Sequence, residues 1–151
     1  MKFGIALASA VDSWKHVRRA EELGFTSSWF YDTQLLNPDI FICMALAAEK
    51  TSRIRLGTGV LIPSNRIEPV AANALATLNR IAPGRIDFGV GTGVTARRTM
   101  GLKAIPLGKM KRYIERVQEL LRGNLIEWDF ESENRKISFL NPDIGLINLE
   151  D

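Results

Sequence analysis

The sequence has one cysteine and one histidine in 151 residues, and each scarcity excludes a class of chemistry. A single thiol, Cys43, cannot close an intramolecular disulfide or build a cysteine zinc site, and it suits a reducing cytoplasm. The single imidazole, His16, stands between Lys15 and Val17 on the first expected helix, away from any strand end, and reads as a surface residue. Long apolar runs are absent too. The longest, Ile40 to Ala48, has nine residues, whereas a bilayer needs about 20, so no membrane span is expected. The opening Met1-Lys2-Phe3-Gly4-Ile5-Ala6-Leu7 reads as a core strand and not as a secretory leader, despite the small residues Ala8-Ser9-Ala10. A large excess of one charge is lacking as well: the net charge of +3 does not mark a nucleic-acid binder. Its distribution is uneven, with seven Lys or Arg against one acid from Arg97 to Arg116, and seven acids against two bases from Glu127 to Asp151. The basic block is either an attractor for an anionic ligand or a solvated face.

What is present is an ordinary globular balance, 46% hydrophobic and 25% charged, long enough for one domain with a real core. The pattern alternates strands and helices. Lys2 to Leu7 reads as a buried strand. A helix follows, capped by Asp12 or Ser13, with Trp14, Val17 and Leu23 as its stripe and Gly24 at the left-handed stop. Ser28 to Tyr31 is a second strand ending at Asp32. Asn37-Pro38 then opens a helix with Phe41, Met44, Ala45 and Ala48 on its apolar face. The third strand, Ile54 to Ile62, precedes a helix from Pro69 to Ile81, on which Ala71, Ala74, Leu75 and Leu78 recur at helical spacing. Pro83-Gly84 turns into a fourth strand, Arg85 to Gly91. A further helix carries Met110, Ile114, Val117 and Leu121 and stops at Gly123. Leu125-Ile126 and Lys136 to Phe139 suggest a loose hairpin and tail. Four βα repeats imply a parallel sheet, either open and doubly wound or part of a (β/α)₈ barrel. Length favours the open sheet, since a full barrel takes about 250 residues.

Two strands end in Gly-Thr-Gly: Gly57-Thr58-Gly59 and Gly91-Thr92-Gly93. Glycines there either let a flat ligand approach bare backbone, or simply relieve crowding between strands. The dinucleotide fingerprint does not fit. It belongs on the first strand, with an acid about 20 residues on at the next strand; here Lys111 stands 20 residues past Gly91, and Glu115 lies on a helix.

The run Arg55-Leu-Gly-Thr-Gly-Val60, then Arg66, then Ala74 through Gly93, resembles the luciferase-like monooxygenase superfamily. Ala20 to Phe25, Trp29 and Asp32 match its usual opening. Arg97 to Gly101 and Tyr113 to Gly123 resemble the branch dependent on the deazaflavin coenzyme F-420 in particular. This resemblance implies an α/β fold of TIM-barrel type, strands one to four of a (β/α)₈ barrel with a small hairpin and tail. Residues 1–151 would then be a single luciferase-like domain stopping before the expected fifth strand. It implies a flavin- or deazaflavin-dependent oxidoreductase acting on a small organic substrate by hydride transfer or monooxygenation, with coenzyme F-420 favoured over FMN. A cytoplasmic homo-oligomer without nucleic-acid or membrane partners is expected. The cofactor-site positions carried over are Asp32, Gly59, Val60, Gly91, Thr92 and Gly93, with a cis peptide expected at Gly59-Val60. Arg97 and Arg98 are the candidates for an anionic substrate or cofactor tail.

Two departures narrow the chemistry. Some deazaflavin dehydrogenases place a histidine after the strand-two aspartate and a glutamate after the strand-four Gly-Thr-Gly; here Thr33 and Val94 stand there. No general acid or base is identified, which disfavours alcohol or sugar-phosphate oxidation and favours hydride transfer at carbon. Two other readings stay open: a non-catalytic half-barrel that oligomerises through its strand edges, and an open-sheet, flavodoxin-like binding module.

Overall fold

The computed structural model describes residues 1–149. Four parallel strands, β1 (Gly4–Leu7), β2 (Ser27–Phe30), β3 (Arg55–Thr58) and β4 (Ile86–Asp87), lie side by side in the order β1-β2-β3-β4. The connecting helices are α1 (Trp14–Glu22), α2 (Ile40–Lys50) and α3 (Glu68–Ile81); after β4 come the short α4 (Val94–Arg98) and then α5 (Leu107–Leu121). Contacts run from α1 to α2, α2 to α3 and α3 to α5. A doubly wound sheet reverses its strand order at a switch point and carries helices on both faces. Sequential order with one continuous helical layer is barrel-type winding, so the flavodoxin-like reading falls.

Alternation along each strand fixes what faces the helices. Ser28, Phe30, Leu56 and Thr58 are fully buried beneath the helical layer, together with Val17, Ile40, Met44 and Leu61. Each large apolar side chain removed from water contributes about 1.5–3 kcal/mol. On the opposite face stand Trp29 and Gly57, with Arg55 paired to Asp87 at 2.7 Å.

Several local expectations shift. Helix α2 starts after Asp39 and not at Asn37-Pro38, because the Asp39 carboxylate accepts from the Phe41 and Ile42 amides at 2.9 and 3.2 Å. Ser13 precedes α1, but its hydroxyl accepts from Ala10 N–H and donates to Ala8 C=O instead of capping the helix. Leu23 lies past the end of α1 and is exposed. On α5 the buried stripe is Tyr113, Val117 and Leu120, rotated from the expected Met110, Ile114 and Leu121. Strands three and four are shorter than expected. Regular pairing stops at Thr58 and Asp87, and a single bridge from Leu61 to Val90 resumes it.

The hairpin is not loose. Strands β5 (Ile126–Phe130) and β6 (Glu133–Ile137) pair antiparallel around Glu131 and Ser132, both at positive φ as a tight right-twisted turn requires. Trp128 stacks on Phe130 at 4.6 Å and donates its indole N–H to Glu68 on α3 at 2.9 Å. Arg116 on α5 pairs with both Glu68 and Asp129. These bonds fasten the hairpin to two helices.

At the N-terminal end of the sheet, Glu21 holds the turn into β3. Its carboxylate accepts from the amides of Ser52, Arg53 and Ile54. Partial burial opposes the charged form, but these three amides and the Arg53 charge outweigh it and hold Glu21 below the ordinary glutamate value. A depressed carboxylate contributes stability above its unfolded value and loses it as pH falls through the folded value. Glu21→Gln is therefore expected to be less stable than wild type at neutral pH, with the gap closing in the acid range. Urea midpoints from pH 7 down to pH 3 check this, and parallel curves would overturn it.

Candidate functional site

A cleft of about 550 Å³ opens at the C-terminal ends of β2, β3 and β4, the end at which α/β enzymes bind ligands. Asp32, Gly59, Val60, Gly91, Thr92 and Gly93 all line it. A second cavity, of about 530 Å³, runs beside the free edge of β4 between α3 and α5. It lies away from the strand ends.

Neighbouring side chains explain two of the strand-end glycines. A Cβ on Gly57 would sit 2.4 Å from the Trp29 ring, and one on Gly91 would sit 2.4 Å from Val60 Cγ2. Gly57 thus seats an indole and Gly91 seats a valine, so relief of crowding accounts for both. The bare backbone of Gly91 is already covered. What the cleft presents is the Val60 side chain, 40% exposed, on a Gly59-Val60 peptide that is cis, as the resemblance implies.

Asp32 ends β2 with its residue only 4% exposed. Four contacts occupy its carboxylate. Gln34 donates to Oδ1 at 2.6 Å, the Ile62 amide donates to Oδ2 at 3.3 Å, and Arg66 Nη1 reaches both oxygens at 3.1 and 3.0 Å. A carboxylate offers about four acceptor sites, so this one is spent on holding its neighbours. Arg66 also pairs with Asp39 and lies over the Phe41 ring at 4.8 Å. Burial works against both partners' charges, but their pairing wins, raising Arg66 and lowering Asp39 from their ordinary values.

The two anion candidates stand outside the lining. Arg97 donates to Ser64 Oγ and to the Lys103 carbonyl, tying the loop after β3 to the loop after α4. Arg98 is exposed on α4. Thr33 and Val94 do line the cleft, and among the described residues Tyr31 and Asp32 are the only ionisable ones that do. Other reactive groups are buried and muted. Desolvation pushes the Cys43 thiol up, and desolvation followed by the nearby Glu68 charge pushes the Tyr113 phenol well above its ordinary value. Among the described residues no group of His, Cys, Asp and Glu is arranged to hold a metal ion, and no helix is long and apolar enough to cross a membrane. The part of the site that residue-level reasoning missed is Arg66. Its signal in the sequence is its place in the run that carries the family resemblance, which implies no role for it.

The chain is 31% identical to the 5,10-methylenetetrahydromethanopterin reductase of Archaeoglobus fulgidus, over 92% of this chain and 44% of that protein. It is 35% identical to the F420-dependent glucose-6-phosphate dehydrogenase of Intrasporangium calvum, over 69% of this chain and 34% of that protein. In structure it matches the coenzyme F420 dependent tetrahydromethanopterin reductase of Methanopyrus kandleri with a TM-score of 0.77 at 27% identity, covering 89% of this chain and 44% of that one. The chain therefore spans less than half the length of these relatives. The profile of the luciferase-like monooxygenase family matches residues 5–143, nearly the whole of the barrel-type unit described above, and the chain belongs to that family.

Proposed function

We propose that this chain builds one wall of the cofactor cleft of a deazaflavin-dependent oxidoreductase, with coenzyme F420 as the cofactor and FMN as the alternative. The observation that carries the reading is the apolar wall at the strand ends. Val60 is exposed in the cleft and is backed by Gly91, giving a flat ring a surface to lie against. That apolar surface fits the ring of a deazaflavin or flavin. It does not fit a phosphate, because no cation among the described residues lines the cleft.

When bound, the coenzyme supplies hydride chemistry at the ring. This chain's own residues bind and orient. Val60 limits how deeply a ring enters, Thr92 offers a hydroxyl at the rim, and Leu36 and Val94 exclude water from the mouth. Asp32 holds Gln34, the Ile62 amide and Arg66 in place and has no part in the chemistry of this scheme. Chemistry that needs no side-chain acid or base, hydride transfer at carbon on a small organic substrate, is the class this wall supports. Arg97 and Arg98 would meet an anionic tail only beyond the lining. The protein acts in the cytoplasm, where its single buried thiol stays reduced. Among the described residues the outer edges of β1 and β4 pair with no strand, which favours association of two copies.

Equilibrium titration of the chain with coenzyme F420 and separately with FMN, followed by fluorescence, tests the proposal. Saturable binding that weakens about tenfold in Val60→Asp, which places a charge where a ring would pack, is expected. Folded protein that binds neither coenzyme would overturn it.

A further inference from the structure

The loop after β2, residues 31–39, and the loop after β3, residues 59–67, form two walls of the same cleft. One backbone bond, from Gly59 N–H to Phe30 C=O at 2.7 Å, ties the start of the second loop to the end of β2. Beyond it, side chains make the connections that the structure shows. Asn65 donates to Gln34, Asp32 accepts from the Ile62 amide, and Arg66 reaches both Asp32 and Asp39. Arg66 is central to this set. Its side chain is 12% exposed and contacts both ends of the facing loop. One of those ends, Asp39, also caps α2 through its other oxygen.

We infer that Arg66 is the positioning residue of the cofactor cleft: one guanidinium, shared between two carboxylates, sets how far apart the two walls stand. Three features support this assignment. The guanidinium is a planar fork able to bond two carboxylates in fixed directions, which a lysine ammonium on a flexible stem does not reproduce. Its face is held against Phe41, so the fork does not swing freely. Without it, Asp32 and Asp39 would face a shared space as two uncompensated negative charges, one of them almost fully buried. Val60 stands on the same loop as Arg66, two residues before the Ile62 amide that Asp32 holds. Its position then depends on a cation that lies outside the cleft lining.

The inference rests on the cleft's being the coenzyme site, and the test separates the two. Amide hydrogen exchange is measured by mass spectrometry on wild type, Arg66→Ala and Arg66→Lys, with and without methylguanidinium, alongside the coenzyme F420 titration. Exchange is expected to rise about tenfold or more within 31–39 and 59–67 in Arg66→Ala, with α1 and α5 unchanged. Methylguanidinium should slow it again, and F420 affinity should fall and recover in parallel. Arg66→Lys keeps the charge and should still show faster exchange in both loops, which preserves the test if the alanine variant does not fold. Exchange that is unchanged in Arg66→Lys, or raised evenly across the sheet, would overturn the assignment. Wild type that binds no coenzyme would instead sink the functional reading, while the exchange data would still decide the role of Arg66.

Discussion

Gly89→Ala is expected to destabilise the protein toward the upper end of roughly 1–3 kcal/mol, as overpacking against an immovable neighbour does. For a chain of this size that corresponds to a fall in Tm of about 6–12 °C. An added Cβ would lie 2.3 Å from the Thr58 carbonyl oxygen, and a backbone atom of β3 cannot turn away as a side-chain tip can. The site is also tightly stitched. Gly89 N–H donates to Thr58 Oγ1 at 2.9 Å, the Thr58 hydroxyl donates to Gly89 C=O at 2.7 Å, and Leu61 N–H reaches the same carbonyl at 2.8 Å. Making room means parting β3 from β4 just where their regular pairing has ended. Gly108→Ala is the control. Nothing lies within 4 Å of its Cβ position in α5, so alanine there should be neutral or stabilising by up to about 1 kcal/mol. Thermal melts of the two variants check the contrast. Equal Tm values would mean that the strands part at little cost.

The second large effect falls on Asp32. Asp32→Ala is expected to cost about 3 kcal/mol, near the lower end of what breaking a buried ion pair costs, because Asp39 still faces Arg66. The loss has three parts: a guanidinium left with half its partners, an Ile62 amide left without its acceptor, and a Gln34 side-chain amide left without its own. Removing Arg66 as well takes away the stranded charge. The double variant Asp32→Ala/Arg66→Ala should therefore be less destabilised than the sum of the single variants. Urea denaturation of the four proteins gives the coupling. Strict additivity would show that the two residues do not act as a pair. This bears on function too, since loss of coenzyme binding in an Asp32 variant would reflect a shifted wall before any lost contact with the ring.

The sheet was legible in the sequence because its apolar clusters are short, bounded by Gly and Pro, and spaced at βα intervals. Its closure type was not legible in the periodicity, since strand order depends on how crossovers pack and leaves no mark on local pattern; only the family resemblance implied the barrel-type winding that the structure has. The misplaced start of α2 has a simple cause: Asn37-Pro38 satisfies the usual cap rule, but Asp39 offers a carboxylate two residues later and outcompetes it. On α5, Val117 belongs to both the expected and the observed stripe. Docking of α3 and the hairpin selects the side carrying Tyr113 and Leu120, which periodicity alone does not distinguish from the side carrying Met110 and Leu121. Helix α4 has too few apolar residues to show a period. In the cleft, the strand-end positions were readable from their glycines. The Arg66 link was not, because it joins residues 34 apart in the chain across two irregular loops.

The sequential strand order carries a kinetic consequence. Every strand after β1 pairs with the strand before it in the chain, and α1 packs on α2, α2 on α3 and α3 on α5. Among the described residues no pairing in this sheet waits for a distant segment, so loop-closure entropy is met in small, similar instalments. During synthesis the first βαβ unit has its partners as soon as β2 has emerged, and each later unit adds to a template already in place. The nascent chain grows its sheet in the direction of translation, one edge at a time.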